Sequence, residues 1–160
     1  MSEIIMRTQR LDLVLEGPEA VLARMEAMPP EDRAEVSPVW LEKLRALTEP
    51  DPWMLGFNLI DRASGLPVGS GGFKGPPDEN GMVELAYGID PAHRRLGYAT
   101  EAAIAMTQYA LENEQVKLVC AHTKSGNGAS KRILEKCGFQ FIGEVMDPED
   151  GLVSRWERKR

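Results

Sequence analysis

Cysteine is scarce in this sequence: two in 160 residues, Cys120 and Cys137. Two thiols do not build a disulfide framework. Both lie in apolar stretches, VKLVCA and RILEKC. They are expected to be reduced, buried, small hydrophobes. Only two histidines are present, with no CxxC and no HExxH, so no metal site is expected. No apolar run approaches about 18 residues, which excludes a membrane-spanning helix. The opening MSEIIMRTQR has no apolar signal core, so a cytoplasmic location is expected. Basic charge is also short, with 19 Lys and Arg against 25 Asp and Glu, a net of −6. Such a chain has too little basic surface to displace nucleic-acid counterions, so no nucleic-acid partner is expected. A P-loop (GxxxxGK followed by Ser or Thr) and a dinucleotide GxGxxG are both missing. There is no internal repeat and no linker-like stretch.

What is present suits one domain over residues 1–160. The chain is 42% hydrophobic, and a chain of this length buries about two-thirds of its unfolded surface. Arg10–Leu15 alternates Leu11, Leu13 and Leu15 with polar partners, the pattern of a strand. Glu19–Met28 places Val21, Leu22, Met25 and Met28 on one helical face, and Pro29–Pro30 stops it. Ser37–Pro38 reads as an N-cap followed by proline at the first helical position. That second helix runs to about Thr48. Trp53–Asp61, Leu66–Lys74 and Met82–Ile89 are strand-like, the last the clearest. Tyr98–Glu114 is a long helix with Thr100, Glu101 and Thr107 expected to face water. Val116–Thr123 is a strand, Ala129–Cys137 a short helix ended by Gly138, and Phe139–Val145 with Leu152–Glu157 a closing hairpin. This order indicates an α+β fold with a largely antiparallel sheet and one parallel step around the long helix.

The informative stretch is YGIDPAHRRLGYATE, Tyr87–Glu101, where a strand gives way to a basic loop and then at once to a helix. The first N–H groups of a helix have no partners within it, and with the helix dipole they form an anion pocket. Gly97 lets a phosphate approach the backbone, and Ala99 is nearly as small. Thr100 adds a hydroxyl, and Arg94 and Arg95 add positive charge. A diphosphate is the natural ligand, although the same residues also suit a plain turn and a solvated corner.

Arg94-Arg95-Leu96-Gly97-Tyr98-Ala99 resembles the Q/R-x-x-G-x-G/A loop of the GNAT superfamily of acyl-CoA-dependent N-acyltransferases. The surrounding GIDPAHRRLGYATEA looks like its RimJ/RimL-type branch. Asn127-Gly128-Ala129-Ser130 and the following ILEKCGF resemble the family's N-x-x-S-x-x-x-L-E-K-x-G-F. The resemblance implies a mixed, largely antiparallel sheet of six to seven strands, flanked by about four helices, with a splay between the central strands. It implies acetyl-CoA as co-substrate, its pyrophosphate on the amides of Arg94, Arg95, Leu96, Gly97, Tyr98 and Ala99, beside Thr100. The pantetheine arm would pair with backbone near Tyr87–Ile89, and Asn127 would contact it from the other side. Lys124, Lys131, Arg132 and Lys136 against Glu135, a local net of +3, are offered to the ribose 3′-phosphate or to solvent. Many relatives have glycine where this chain has Arg95.

The chemistry implied is direct attack of a primary amine on the thioester in a ternary complex. It needs a base, an N–H for the oxyanion and perhaps an acid for the thiolate. Backbone near Tyr87 is placed for the oxyanion by the resemblance. Glu84, a carboxylate in an otherwise apolar strand, is one candidate base, because burial would raise its pKa; a solvent-facing strand residue is its plainer role. His122, near the end of the central strand, is the other, a structural histidine being its plainer role. Many relatives carry a tyrosine acid where this chain has Leu134, which cannot donate a proton. Ser130 matches a serine proposed as the acid in the RimJ/RimL branch; a helix-start hydroxyl is its plainer role.

The acceptor is less legible. Residues 16–52 hold nine acids against four bases, a net of −5, which would attract a cationic amine if gathered at the site. The resemblance itself suggests a protein N-terminus. Trp40, Trp53 and Trp156 fit either the core or the site. Two other readings use the same loop: a non-catalytic acyl-CoA sensor or partner-binding module, and a nucleotide-binding domain. A homodimer through the C-terminal strands is compatible with the sequence.

Overall fold

A computed structural model describes residues 2–126, 128–148 and 150–160. In chain order the elements are β1 (Ser2–Arg7), β2 (Leu11–Glu16), α1 (Pro18–Glu26), α2 (Pro30–Arg33), α3 (Pro38–Ala46), β3 (Phe57–Asp61) and β4 (Pro67–Phe73). They continue with β5 (Met82–Ile89), a 3-10 turn at Pro91–His93, α4 (Tyr98–Glu112), β6 (Leu118–Lys124), α5 (Gly128–Lys136), β7 (Gln140–Asp147) and β8 (Gly151–Lys159). The eight strands form one sheet in the order β1-β2-β3-β4-β5-β6-β8-β7. Every neighbouring pair is antiparallel except β5 and β6, which are parallel and joined through α4. Among the described residues no helix is long and apolar enough to cross a membrane.

The expected α+β architecture is present, with one strand and one short helix more than expected. The extra strand is β1. Its register slips between Ile4 and Met6, so Ile5 bulges and the two-residue alternation is lost from SEIIMR. The extra helix, α2, is a four-residue turn begun by Pro30, the residue expected only to stop α1. Ser37 does cap α3: its hydroxyl accepts the Trp40 N–H at 3.4 Å.

The core follows the alternation in β2. Leu11, Leu13 and Leu15 are fully buried with Phe57, Leu59, Leu85 and Met106. α4 lies across the sheet, and Gly71 of β4 makes room for it. A Cβ there would come within 2.9 Å of the Met106 methyl. Trp53 joins an aromatic group, its ring centroid 4.8 Å from Phe73 and 6.0 Å from Tyr109. Cys120 and Cys137 are both buried and free, and burial pushes each thiol up to about 11. Neither is a thiolate near neutrality.

Two α4 residues expected to face water do not. Thr107 is fully buried, and its hydroxyl donates to the Ala103 carbonyl at 2.7 Å, which meets its need for a partner inside the core. Glu101 reaches back to the β1–β2 turn. It accepts from the Thr8 hydroxyl, from the Arg10 N–H at 2.7 Å and from the Arg10 guanidinium at 2.9 Å. This pins the start of α4 to the far edge of the sheet. Burial raises the Glu101 carboxyl, but Thr8 and Arg10 together outweigh it and hold the group below the ordinary glutamate range.

The pin has a testable signature. Glu101→Ala removes charge-assisted hydrogen bonds worth about 2 kcal/mol in sum, or about 4–8 °C in Tm for a domain of this size. A lowered folded pKa means the ionised form stabilises the fold above the ordinary value of 4.5. The contribution is lost as pH falls through the lower folded value. Thermal melts taken from neutrality to roughly pH 3 should show the gap between wild type and Glu101→Ala closing.

Candidate active site

β5 and β6 pair only from Met82 opposite Leu118 to Leu85 opposite Ala121. Beyond that point β5 continues to Ile89 and β6 to Lys124 without further pairing, so the two strands part. Neighbours on their other sides hold them in place: β4 pairs with β5 out to Ile89, and β8 pairs with β6 out to Lys124. The expected splay is therefore present and framed by intact ladders.

Which backbone groups line it follows from the strand pattern. A residue in a regular strand sends its N–H and C=O to the same edge, and the next residue sends both to the other. The Glu84 carbonyl accepts the Lys74 N–H at 3.0 Å, and the Asp90 N–H donates to Val68 at 2.8 Å. The even-numbered residues of β5 thus turn to β4. Tyr87 and Ile89 turn to the splay. The Arg94 guanidinium donates to the Ile89 carbonyl at 3.1 Å. That leaves the Tyr87 N–H and C=O and the Ile89 N–H facing the gap.

At the open end of the splay stands α4. Its N-cap is Gly97, at φ +85°, a left-handed conformation, and Glu101 N–H closes the first turn on the Gly97 carbonyl at 3.2 Å. Among the described residues no side chain caps this end, so the N–H groups of Tyr98, Ala99 and Thr100 point outward. Arg94, Arg95, Leu96 and Gly97 are exposed, while Tyr98, Ala99 and Thr100 are half-buried. Arg95 is the single described non-glycine residue with positive φ, at +66°. The position where many relatives have glycine thus demands the conformation that glycine favours. Arg10 is a cation the sequence reading missed. Its guanidinium lies 4.3 Å above the Tyr98 ring centre and beside Gly97. Only the fold brings the β1–β2 turn to this loop, so no local pattern could have revealed it.

At the closed end is a charged cluster. Glu84 lies directly opposite Cys120 in the parallel pair. Its Oε2 is 2.8 Å from Lys74 Nζ and 3.1 Å from His122 Nδ1. The two candidate bases are therefore one hydrogen-bonded pair. The expectation that burial would raise Glu84 is corrected. Burial does push its pKa up, but the hydrogen bonds and charges of Lys74 and His122 together outweigh it, and the net shift is downward. Glu84, with a side chain 23% exposed, is an ionised carboxylate held by two partners. Beside it Arg155 pairs with Glu157 at 2.8 Å and reaches the Met82 sulfur at 3.1 Å.

The fold also makes a cluster that spacing did not show. Ligand atoms of Glu84, Cys120 and His122 lie within 4.8 Å of one another. A metal ion there would have to displace Lys74 from Glu84 and strip a proton from a thiol held at about 11. The chemistry of the set suits a proton pathway better than a cation.

The rest of the anticipated site is distributed as follows. Ser130 is in the first turn of α5 and half-buried. Leu134 is fully buried. Asn127 lies outside the described residues. Lys124 and Lys131 line a cavity of about 470 Å³ beneath α5, floored by Trp156 and Phe141; Glu84, His122 and Tyr87 do not line it. The groove between α1 and α3 is lined by Arg33 and Arg45 against Glu26, so the acid excess of residues 16–52 is not gathered there. Glu16 is bound to Arg24 at 2.6 Å and to Asn58 at 2.6 Å.

The fit of this frame to an acyl-CoA is tested by Tyr87. Its hydroxyl is buried with no hydrogen-bond partner among the described residues, and burial pushes its pKa upward, keeping it a donor. A buried donor without a partner, on a residue whose backbone borders the splay, together with unpaired strand edges, suits an amide-bearing arm. Comparison with known proteins agrees. The family described as acetyltransferase (GNAT) domain matches residues 12–140. The chain belongs to the GNAT acetyltransferase family. Its branch is the RimJ/RimL-like one. It is 44% identical over 72 residues to the uncharacterized N-acetyltransferase YjdG of Bacillus subtilis, a match covering 45% of this chain and 43% of that protein. The chain thus matches less than half the length of this curated relative. In fold it is similar to RimL, the ribosomal L7/L12 alpha-N-protein acetyltransferase in complex with coenzyme A. That likeness has a TM-score of 0.69 at 14% identity and covers 98% of each chain. It is likewise similar to the aminoglycoside acetyltransferase AAC(6')-Ib in complex with coenzyme A, TM-score 0.64 at 15% identity, over 94% of this chain and 95% of that one.

The loop geometry predicts two opposite substitutions. Gly97→Ala should cost about 1–2 kcal/mol for the left-handed backbone. In addition, its Cβ would lie 3.2 Å from an Arg10 guanidinium nitrogen. Arg95→Gly should raise Tm, the gain being held under about 1 kcal/mol by glycine's extra freedom in the unfolded chain. Differential scanning calorimetry of both variants checks the signs.

Proposed function

We propose that this chain is a single acetyl-CoA-dependent N-acetyltransferase domain acting on a primary amine, and that Glu84 and His122 act as one base. The observation that carries this reading is the splay itself. It begins at a helix start that suits two phosphates and ends, four residues or about 13 Å along β5, beside the Glu84–His122 pair. The amides of Arg94–Ala99, beside Thr100, hold the pyrophosphate, the Tyr87 and Ile89 backbone pairs with the pantetheine arm, and the Tyr87 hydroxyl gives it a further donor. Ser130 and Asn127 stay as partners of the arm from the α5 side.

The acceptor amine reaches the site as an ammonium and must shed a proton before it attacks. A carboxylate held below its ordinary range is a weak base by itself. It is well suited to accept the Nδ1–H of His122, which leaves Nε2 as the acceptor for that proton. Glu84 then stabilises the imidazolium through the same 3.1 Å contact. The Tyr87 N–H faces the position where the thioester oxygen gains charge. Leu134 offers no proton, so the thiolate draws on Ser130 or solvent.

Charge at the closed end supports a cationic acceptor, either a small amine or a protein N-terminus. The charges of Asp147 and Asp150, on the β7–β8 hairpin, act on Lys74 together with Glu84. The acid relevant to the acceptor thus comes from this hairpin and β5 rather than from α1–α3.

The experiment is a screen of cationic amines with acetyl-CoA, following free thiol, on wild type and Glu84→Gln. Loss of the base contributes about 10²–10⁴-fold in kcat, with CoA affinity by calorimetry unchanged. Binding of CoA with no turnover on any amine leaves the sensor reading in its place. Displacement of CoA by ATP points to a nucleotide site.

A further inference from the structure

The group nearest to Glu84 is an amine. Lys74 is the residue after β4, its side chain is 56% exposed, and its Nζ stands 2.8 Å from Glu84 Oε2. His122 Nδ1 binds the same oxygen at 3.1 Å. Lys74, Glu84 and His122 thus form an unbroken chain from a primary ammonium to the proposed base. Arg155, the neighbouring cation on this face, is a guanidinium committed to Glu157 and cannot act as an acceptor amine. Lys43, Lys131 and Lys136, by contrast, lie on the helices α3 and α5, and Lys124 ends β6; among the described residues the lysine paired with Glu84 is Lys74.

We infer that Lys74 is itself an acceptor, so that the protein acetylates its own Lys74 when acetyl-CoA is bound and no other amine occupies the site. This rests on the acetyltransferase reading and adds a modification site to it. The hydrogen bond that Lys74 donates to Glu84 keeps the amine charged, so the step needs the base. Lys74 Nζ leaves Glu84 Oε2 and gives one proton to His122 Nε2, whose Nδ1–H stays on Glu84, and the freed amine attacks the thioester carbonyl carbon. A C–N bond forms, the nitrogen sheds its second proton to solvent, the C–S bond breaks, and CoA leaves as a thiolate that takes a proton from solvent. The products are Nζ-acetyl-Lys74 and free CoA, with no other reactant required. Acetylation neutralises Lys74 and dissolves its ion pair with Glu84. The carboxylate is then left to His122 and to an incoming ammonium. A free cationic acceptor competes with Lys74 for Glu84, so it slows the self-reaction.

The test uses the whole chain with trideuteroacetyl-CoA, which separates new acetyl groups from any carried over from expression, and peptide mass spectrometry. One label per chain is expected at Lys74, at a rate independent of protein concentration. The label should be lost in Lys74→Arg and slowed at least about tenfold in Glu84→Gln, with both variants checked for unchanged melting. Label spread evenly over Lys43, Lys131 and Lys136 overturns the inference, as does an equal rate in Glu84→Gln. A protein that turns over an added amine but leaves Lys74 unlabelled when that amine is withheld overturns the inference alone and leaves the acetyltransferase reading standing. Absence of CoA binding removes both.

Discussion

Two parallel strands that cease to pair after four residues leave main-chain donors and acceptors with nothing to bond. An unpaired, buried backbone group costs about 1–3 kcal/mol, so such a gap persists only where something else holds it open. Here β4 and β8 do so, pairing with β5 from Leu85 to Ile89 and with β6 from Leu118 to Lys124. The gap is therefore a fixed slot whose walls are ladders, not a mobile loop. Each functional proposition about this chain depends on that slot, because it supplies strand-edge partners for an extended arm and fixes where the arm must end.

The slot is useful only if its two ends are in register. At one end the start of α4 is set by Gly97, by the left-handed turn at Arg95 and by the Glu101 contacts with Thr8 and Arg10. At the other, Glu84 and His122 meet because β5 and β6 are parallel and Glu84 pairs with Cys120, two residues before His122. A slip of one residue would turn Glu84 into the core and Leu85 out of it. The four-residue register is thus a stability constraint and a chemical one together: the leucine is 2% exposed, the carboxylate 23%.

How much of this was visible in the sequence varies with the range of the interaction. The α+β order, the long helix and the phosphate loop were legible because each is encoded locally, in alternation, capping residues and a glycine at a turn. β1 was not, because a bulge at Ile5 destroys the alternation that identifies strands. Glu101 and Thr107 were misassigned to solvent for a related reason: helical periodicity reports polarity, not whether a partner lies across the fold. Glu84 and His122 were each identified, but their union was not, since 38 positions separate them in sequence. With it came the wrong sign for Glu84, where burial was foreseen and the two cations it meets were not.

That sign changes the division of labour. A carboxylate raised by burial would take the substrate proton itself, and a neutral histidine beside it would be incidental. A carboxylate lowered by Lys74 and His122 is already ionised and is best used to orient and charge-stabilise an imidazole. Lys74 belongs to the site for the same reason. An exposed lysine has no need of a half-buried partner, and an ion pair between them gains little by itself. Glu84 is left holding, in its resting state, the kind of cation that its reaction must accept and deprotonate.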